Sequence, residues 1–102
     1  MPKTYPLGPL SQIPAGEGRV FVVAGRKIAV FHDRSGQLYA TQAECPHAQG
    51  PLADGLLGSG KLICPLHERI FDLASGNSLN SDCSLKVFTI QNNDDLGISL
   101  SI

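Results

Sequence analysis

No stretch of the 102-residue chain approaches the roughly 18 consecutive apolar residues of a membrane span, and residues Met1 to Pro9 lack the apolar core of a secretory signal. The expectation is a soluble, cytoplasmic protein. An excess of one charge is also missing. Eight Lys and Arg stand against nine Asp and Glu, for a formal net charge of −1, and the cations are scattered. Nucleic acid and anionic membranes are recognised through clustered cations, so neither is an expected partner. No amphipathic helix longer than a turn or two, no internal repeat and no low-complexity tract is visible. Three cysteines are an odd number, ill suited to a disulfide framework. The length fits one domain over residues 1–102 and leaves no room for a second core or a separate nucleotide-binding unit.

What is present is a β pattern punctuated by turns. Val20 to Ala24 is an apolar run, Gly25-Arg26 is a turn candidate, and Lys27 to His32 alternates in part, which reads as a hairpin. Asp33 to Gly36 is a second turn signal. It precedes Gln37 to Gln42, where Leu38, Ala40 and Gln42 face opposite to Tyr39 and Thr41, completing a three-stranded meander. Ala43 to Gly60 loses periodicity and fills with Pro, Gly, Asp and Ser, the mark of a long ordered loop. Lys61 to Cys64 and Ile70 to Leu73 read as short strands around a loop at Pro65 to Glu68. Leu85 to Gln91 and Ile98 to Ile102 form a terminal hairpin across Asn92 to Asp95. The class is all-β, an antiparallel sandwich or barrel with a small inserted lobe at about residues 43–73.

Two segments of that lobe carry chemistry: Cys45-Pro46-His47 and, after residues 48–63, Cys64-Pro65-Leu66-His67. Each supplies one thiolate and one imidazole from a loop, and the proline after each cysteine stiffens its loop. Structural zinc sites usually pair Cys with Cys and His with His, or use four thiolates. Mixed pairs suit a centre of two unlike metal ions, in which two His replace two Cys on one iron of a [2Fe–2S] cluster. Two ferric ions, two sulfides and two thiolates sum to a neutral oxidised cluster, which accepts an electron more readily than its all-thiolate counterpart. A mononuclear structural zinc remains the alternative. Simpler roles compete elsewhere: His32 is a surface or turn residue, Cys83 is a small packing residue or a redox thiol, and Glu44, Asp54, Glu68 and Arg69 are solvated charge or partner-steering groups. Pro51 and Leu52 cap the site, close the loop, or do both.

These two segments, followed by Phe71-Asp72-Leu73-Ala74-Ser75-Gly76, resemble the signature of the Rieske domain family, and the resemblance covers nearly the whole chain. It implies one [2Fe–2S] cluster per chain, with Cys45 and Cys64 on the inner iron and His47 and His67 on the outer iron near the surface. High-potential members carry an extra cysteine in each cluster loop and hydroxyl donors to the cluster. This chain has Gly50 and Leu66, and Glu68, Arg69 and Ile70 after His67. The expectation is a soluble, low-potential type.

The segment from His47 through Gly50-Pro51-Leu52 to Gly55 resembles one found in the small subunit of assimilatory NAD(P)H nitrite reductase, as does Asp82 to Phe88. The resemblance implies an electron-transfer subunit without a catalytic residue of its own. Its donor would be a flavin reductase or a flavin-containing large subunit, and its acceptor another protein. A ferredoxin component of an aromatic-ring dioxygenase is the alternative within electron transfer. A structural subunit of a larger oxidoreductase is the alternative from another class, and a redox or iron sensor is disfavoured because no effector region accompanies the domain.

Overall fold

The computed structural model describes residues 3–44, 52–58, 60–63, 70–79, 84–93 and 97–102. Among the described residues nine strands run in chain order: β1 (Thr4–Gly8), β2 (Glu17–Val23), β3 (Arg26–His32), β4 (Leu38–Gln42), β5 (Leu56–Gly58), β6 (Lys61–Ile63), β7 (Ile70–Asp72), β8 (Val87–Asn92) and β9 (Ile98–Ser101). Single 3-10 turns at Leu10–Gln12 and Leu52–Asp54 are the helical elements among the described residues. No helix there is long and apolar enough to cross a membrane. All strand pairs are antiparallel. Six strands form one sheet in the order β1-β9-β8-β4-β3-β2, and β5-β6-β7 form a second, smaller one.

Strand β3 shows why the two sheets pack. Ile28, Ala29, Val30 and Phe31 are all fully buried, because successive side chains point to opposite faces and both faces are covered. Ile28 and Val30 join Ile13, Val23, Ala40, Ile98 and Leu100 inside the large sheet. That core gathers side chains from β1 and β9 as well as from β2, so the large sheet is curled onto itself. Ala29 and Phe31 face the other way, into a second core with Leu52, Leu62, Phe71, Leu73 and Leu85. The all-β expectation and the meander, here β2-β3-β4, match this architecture.

Several boundaries differ from the sequence reading. The first hairpin turns at Ala24-Gly25, one residue earlier than expected, with Val23 paired to Arg26. Both turn residues have positive φ, 52° and 78°, as a tight right-twisted hairpin demands. Strand β1 was not expected. Its Pro6 pairs with Ser99 on the edge of the sheet, where a missing amide donor is tolerated. The expected loop at Ala43 to Gly60 contains the 3-10 turn Leu52–Asp54 and strand β5.

The two sheets are joined by a carboxylate. Asp33, only 6% exposed, accepts the Gly60 amide at 2.7 Å through Oδ2 and the Ser35 amide at 3.2 Å through Oδ1. Gly60, in the β5–β6 turn, in turn accepts the Leu73 amide at 2.9 Å. Replacing Asp33 with Ala leaves the buried Gly60 donor unpaired and is expected to cost about 2–3 kcal/mol, with Asp33→Asn losing less because an acceptor remains. Urea denaturation of the three proteins measures the difference.

Candidate iron–sulfur centre

The four candidate ligands, Cys45, His47, Cys64 and His67, lie outside the described residues, as do Gly50, Pro51, Leu66, Glu68, Arg69 and Cys83. Around the two motifs the frame is described on both sides. The first motif leaves β4 through Ala43 and Glu44, and the chain returns at Leu52, whose amide donates to the Ala43 carbonyl at 3.0 Å. That bond holds Ala43 and Leu52, on the two described sides of the motif, together. The second motif lies between β6 and β7, where Ile63 and Ile70 pair directly. Each motif therefore springs from a closed base.

The bases are also joined to each other. A Cβ on Gly55 would lie 2.5 Å from the Ile63 carbonyl oxygen, 3.0 Å from Leu62 Cδ1 and 3.2 Å from the Leu52 carbonyl oxygen. Glycine is needed here because the chain leaving the first loop passes directly against the strand leading to the second. Gly18 does similar service on the other side: a Cβ there would meet Phe31 Cδ1 at 2.7 Å and Ala53 Cα at 3.4 Å. Its bare backbone admits both the Phe31 ring and the 3-10 turn that ends the first loop. Leu52 is fully buried in the core with Leu62 and Phe71, so its side chain anchors the chain at this point.

Sequence reading missed the part played by Gln42. Its side-chain amide donates to the Glu44 carbonyl at 2.8 Å, and its Oε1 accepts the Lys86 amide at 2.8 Å. Its own backbone amide donates to the Lys86 carbonyl at 2.9 Å. One side chain thus ties the chain just before Cys45 to the segment before β8. No pattern in residue types marks this, because the partners are backbone groups. Glu44 is exposed, in keeping with solvated charge. His32 is half-buried, and its Nδ1 donates to the Ile13 carbonyl at 2.8 Å, a structural role. Among the described residues no cluster of three or more His, Cys, Asp or Glu gathers as a second metal site.

The family model for the Rieske [2Fe-2S] domain matches residues 3–91. The chain belongs to the Rieske [2Fe–2S] domain family, whose clusters are carried on two Cys and two His. It is 34% identical over 70 residues to the ferredoxin component of the naphthalene 1,2-dioxygenase system of Pseudomonas aeruginosa, covering 69% of this chain and 66% of that protein. It is 36% identical over the same length to the ferredoxin component of the naphthalene 1,2-dioxygenase/salicylate 5-hydroxylase systems of a Ralstonia species, with the same coverages. The chain thus spans just under two thirds of the length of these relatives. In fold it is similar to a candidate NADH-dependent nitrite reductase small subunit of Mycobacterium tuberculosis, with a TM-score of 0.92 over 100% of this chain and 96% of that one at 16% identity. The carbazole 1,9a-dioxygenase ferredoxin of Nocardioides aromaticivorans IC177 superposes with a TM-score of 0.83 at 24% identity, over 97% and 96% of the two chains.

The contact at Gly55 yields a prediction. Gly55→Ala must push the 3-10 turn away from β6, at an expected cost of about 1–3 kcal/mol. Because the displaced contact joins the bases of both motif loops, iron and acid-labile sulfide per chain should fall as well. Metal and sulfide analysis of freshly purified protein checks this against wild type.

Proposed function

We propose that this chain is a one-electron carrier, a single Rieske domain over residues 1–102 with its cluster lobe at about residues 43–73. Cys45, His47, Cys64 and His67 would hold one [2Fe–2S] cluster, and the protein would pass electrons between a flavin-containing protein donor and a protein acceptor in the cytoplasm. The observation that carries this reading is the pair of closed loop bases joined at Gly55, each leading into one Cys/His pair. The donor set fits the group: two thiolates and two imidazoles match a Rieske centre, and the prolines Pro46 and Pro65 limit loop freedom. When bound, the cluster supplies a single reversible electron, and the protein's part is to hold its ligands still and tune its potential.

Identity of 34–36% to ferredoxin components of dioxygenase systems favours an oxygenase as acceptor. A second reading, the small subunit of an assimilatory nitrite reductase, rests on the segments His47 to Gly55 and Asp82 to Phe88. Purified protein is expected to be brown, with two iron and two acid-labile sulfide per chain. Cys64→Ser should abolish all three and the associated electron transfer. A colourless wild type with one zinc per chain overturns the cluster, and a Cys64→Ser protein that still sustains its partner's activity replaces the carrier with a structural subunit.

The residues around the motifs set the potential. Without loop cysteines at positions 50 and 66, and with Glu68 and Arg69 in place of hydroxyl donors after His67, little stabilises the charge added on reduction. The midpoint should lie at the low end of the Rieske range, about −150 mV, as read by protein-film voltammetry.

A further inference from the structure

The last rung between β4 and β8 is built in an unusual way. A hydrogen-bonded antiparallel pair exchanges two backbone bonds. At Gln42 and Lys86 one of the two is present, the Gln42 amide donating to the Lys86 carbonyl at 2.9 Å. The Lys86 amide donates instead to Gln42 Oε1 at 2.8 Å, so a side-chain oxygen stands in for the Gln42 carbonyl. That carbonyl accepts the hydroxyl of the fully buried Thr41 at 2.8 Å. The other end of the Gln42 side chain reaches along the chain, where Nε2 donates to the Glu44 carbonyl at 2.8 Å. Only one orientation of the side-chain amide puts an acceptor against Lys86 and a donor against Glu44, so both of its ends are fixed.

The Lys86 end of this clamp leads to the second motif. Leu85, the preceding residue, is buried in the core with Leu62 and Phe71, and its amide donates to the Gly76 carbonyl at 2.6 Å. The Gly76 amide donates to the carbonyl of Asp72, the last residue of β7, at 2.7 Å. A Cβ on Gly76 would run into the Leu85 carbonyl, so this approach requires the glycine. The Glu44 end leads to the first motif. The peptide unit joining Glu44 to Cys45 is planar, so a bond that holds the Glu44 carbonyl also holds the plane through which Cys45 is attached. We infer that Gln42 is a positioning residue for the iron–sulfur centre, setting where the first ligand loop leaves the sheet relative to the strand that leads away from the second. The inference rests on the reading of Cys45, His47, Cys64 and His67 as ligands of one cluster. The hydrogen bonds from Lys86 and Leu85 through Gly76 to Asp72 use backbone groups, and Gln42 contributes the one side chain in the path. The fold does not call for it: β4 pairs with β3 over five residues and with β8 at Ala40 and Thr41, and the Gln42 carbonyl could close the last rung.

The test compares wild-type holoprotein with Gln42→Glu, Gln42→Met and Gln12→Met. Gln42→Glu keeps an acceptor for the Lys86 amide and loses the donor to Glu44, whereas Gln42→Met loses both. Gln12, in the 3-10 turn after β1, makes the same kind of bond away from the motifs, its Nε2 donating to the Leu7 carbonyl at 2.7 Å, and serves as control. Four quantities are read: far-ultraviolet circular dichroism, the rate of cluster release to an iron chelator, the electron paramagnetic resonance spectrum of the reduced protein, and the midpoint potential. Both Gln42 variants should keep the wild-type dichroism, release the cluster about three- to tenfold faster, the weight of one hydrogen bond, and shift both the g values and the potential. Gln12→Met should match wild type throughout. Gln42 variants with wild-type release rate, g values and potential overturn the positioning role. Faster release with unchanged g values and potential overturns it too, because stability alone has then been lost. So does a Gln42→Glu protein that matches wild type while Gln42→Met does not, since the bond to Glu44 is then idle, and so does an equal response of Gln12→Met. A wild type that holds no iron–sulfur cluster overturns the ligand reading itself, before any variant is made.

Discussion

The hydrogen bond from the Gly60 amide to the Asp33 carboxylate sets the relation on which the site depends. Hydrophobic contact between the sheets is non-directional: Leu62 and Phe71 gain as much from burial at one register against Ala29 and Phe31 as at a neighbouring one. A charged acceptor at 2.7 Å distinguishes them. It fixes the β5–β6 turn on the turn that joins β3 to β4, while the Leu73 amide fixes the far side of β7 to the same Gly60. Gly60 can serve both because it is a glycine at φ +74°, with the Tyr39 hydroxyl 3.0 Å from where a Cβ would stand. The hairpin β6–β7 thus enters the site from a fixed far end.

Much of the large sheet was legible in the sequence, and the reason is visible in β3. Turn signals and a part-alternating pattern over Lys27 to His32 mark the strand; the structure shows instead a continuous apolar run, Ile28 to Phe31, because both faces are buried. Strand β1 was not legible because Pro6 reads as a breaker, and only the pairing of β1 with β9, nearly the whole chain away, makes an edge position for it. Strand β5 failed for a different reason. Three residues flanked by Gly55 and ending in Gly58 hold no period, and the strand exists because β6 pairs with it. The hairpin at Ala24 was misplaced by one residue because an alanine with positive φ is chosen by the two strands around it, not by its own preference.

The candidate ligands stood out because cysteine and histidine are rare and chemically marked, and two mixed pairs with flanking prolines admit few readings. The frame beneath them was illegible. Leu52 to Ala43, Gln42 to Lys86 and Gly55 against Ile63 all involve backbone amides and carbonyls, which every residue has. A one-dimensional pattern shows which side chains can bind iron. It does not show that the chain behind them is closed twice and joined once.

The same alternation that anchors the second motif also decides what surrounds it. With period two, Leu62 and Phe71 must face inward if the hairpin is to pack, so Ile63 and Ile70 must face out. They are the last paired residues before the loop, and no other positions in β6 and β7 lie so near it. Whatever residue types stand there set the chemistry of the surface beside the loop. Polar residues would have met the needs of the fold as well, since the core lies on the opposite face. Aliphatic residues at both positions, continued by Leu56 and Leu79 on the flanking segments, make the surface beside that loop apolar.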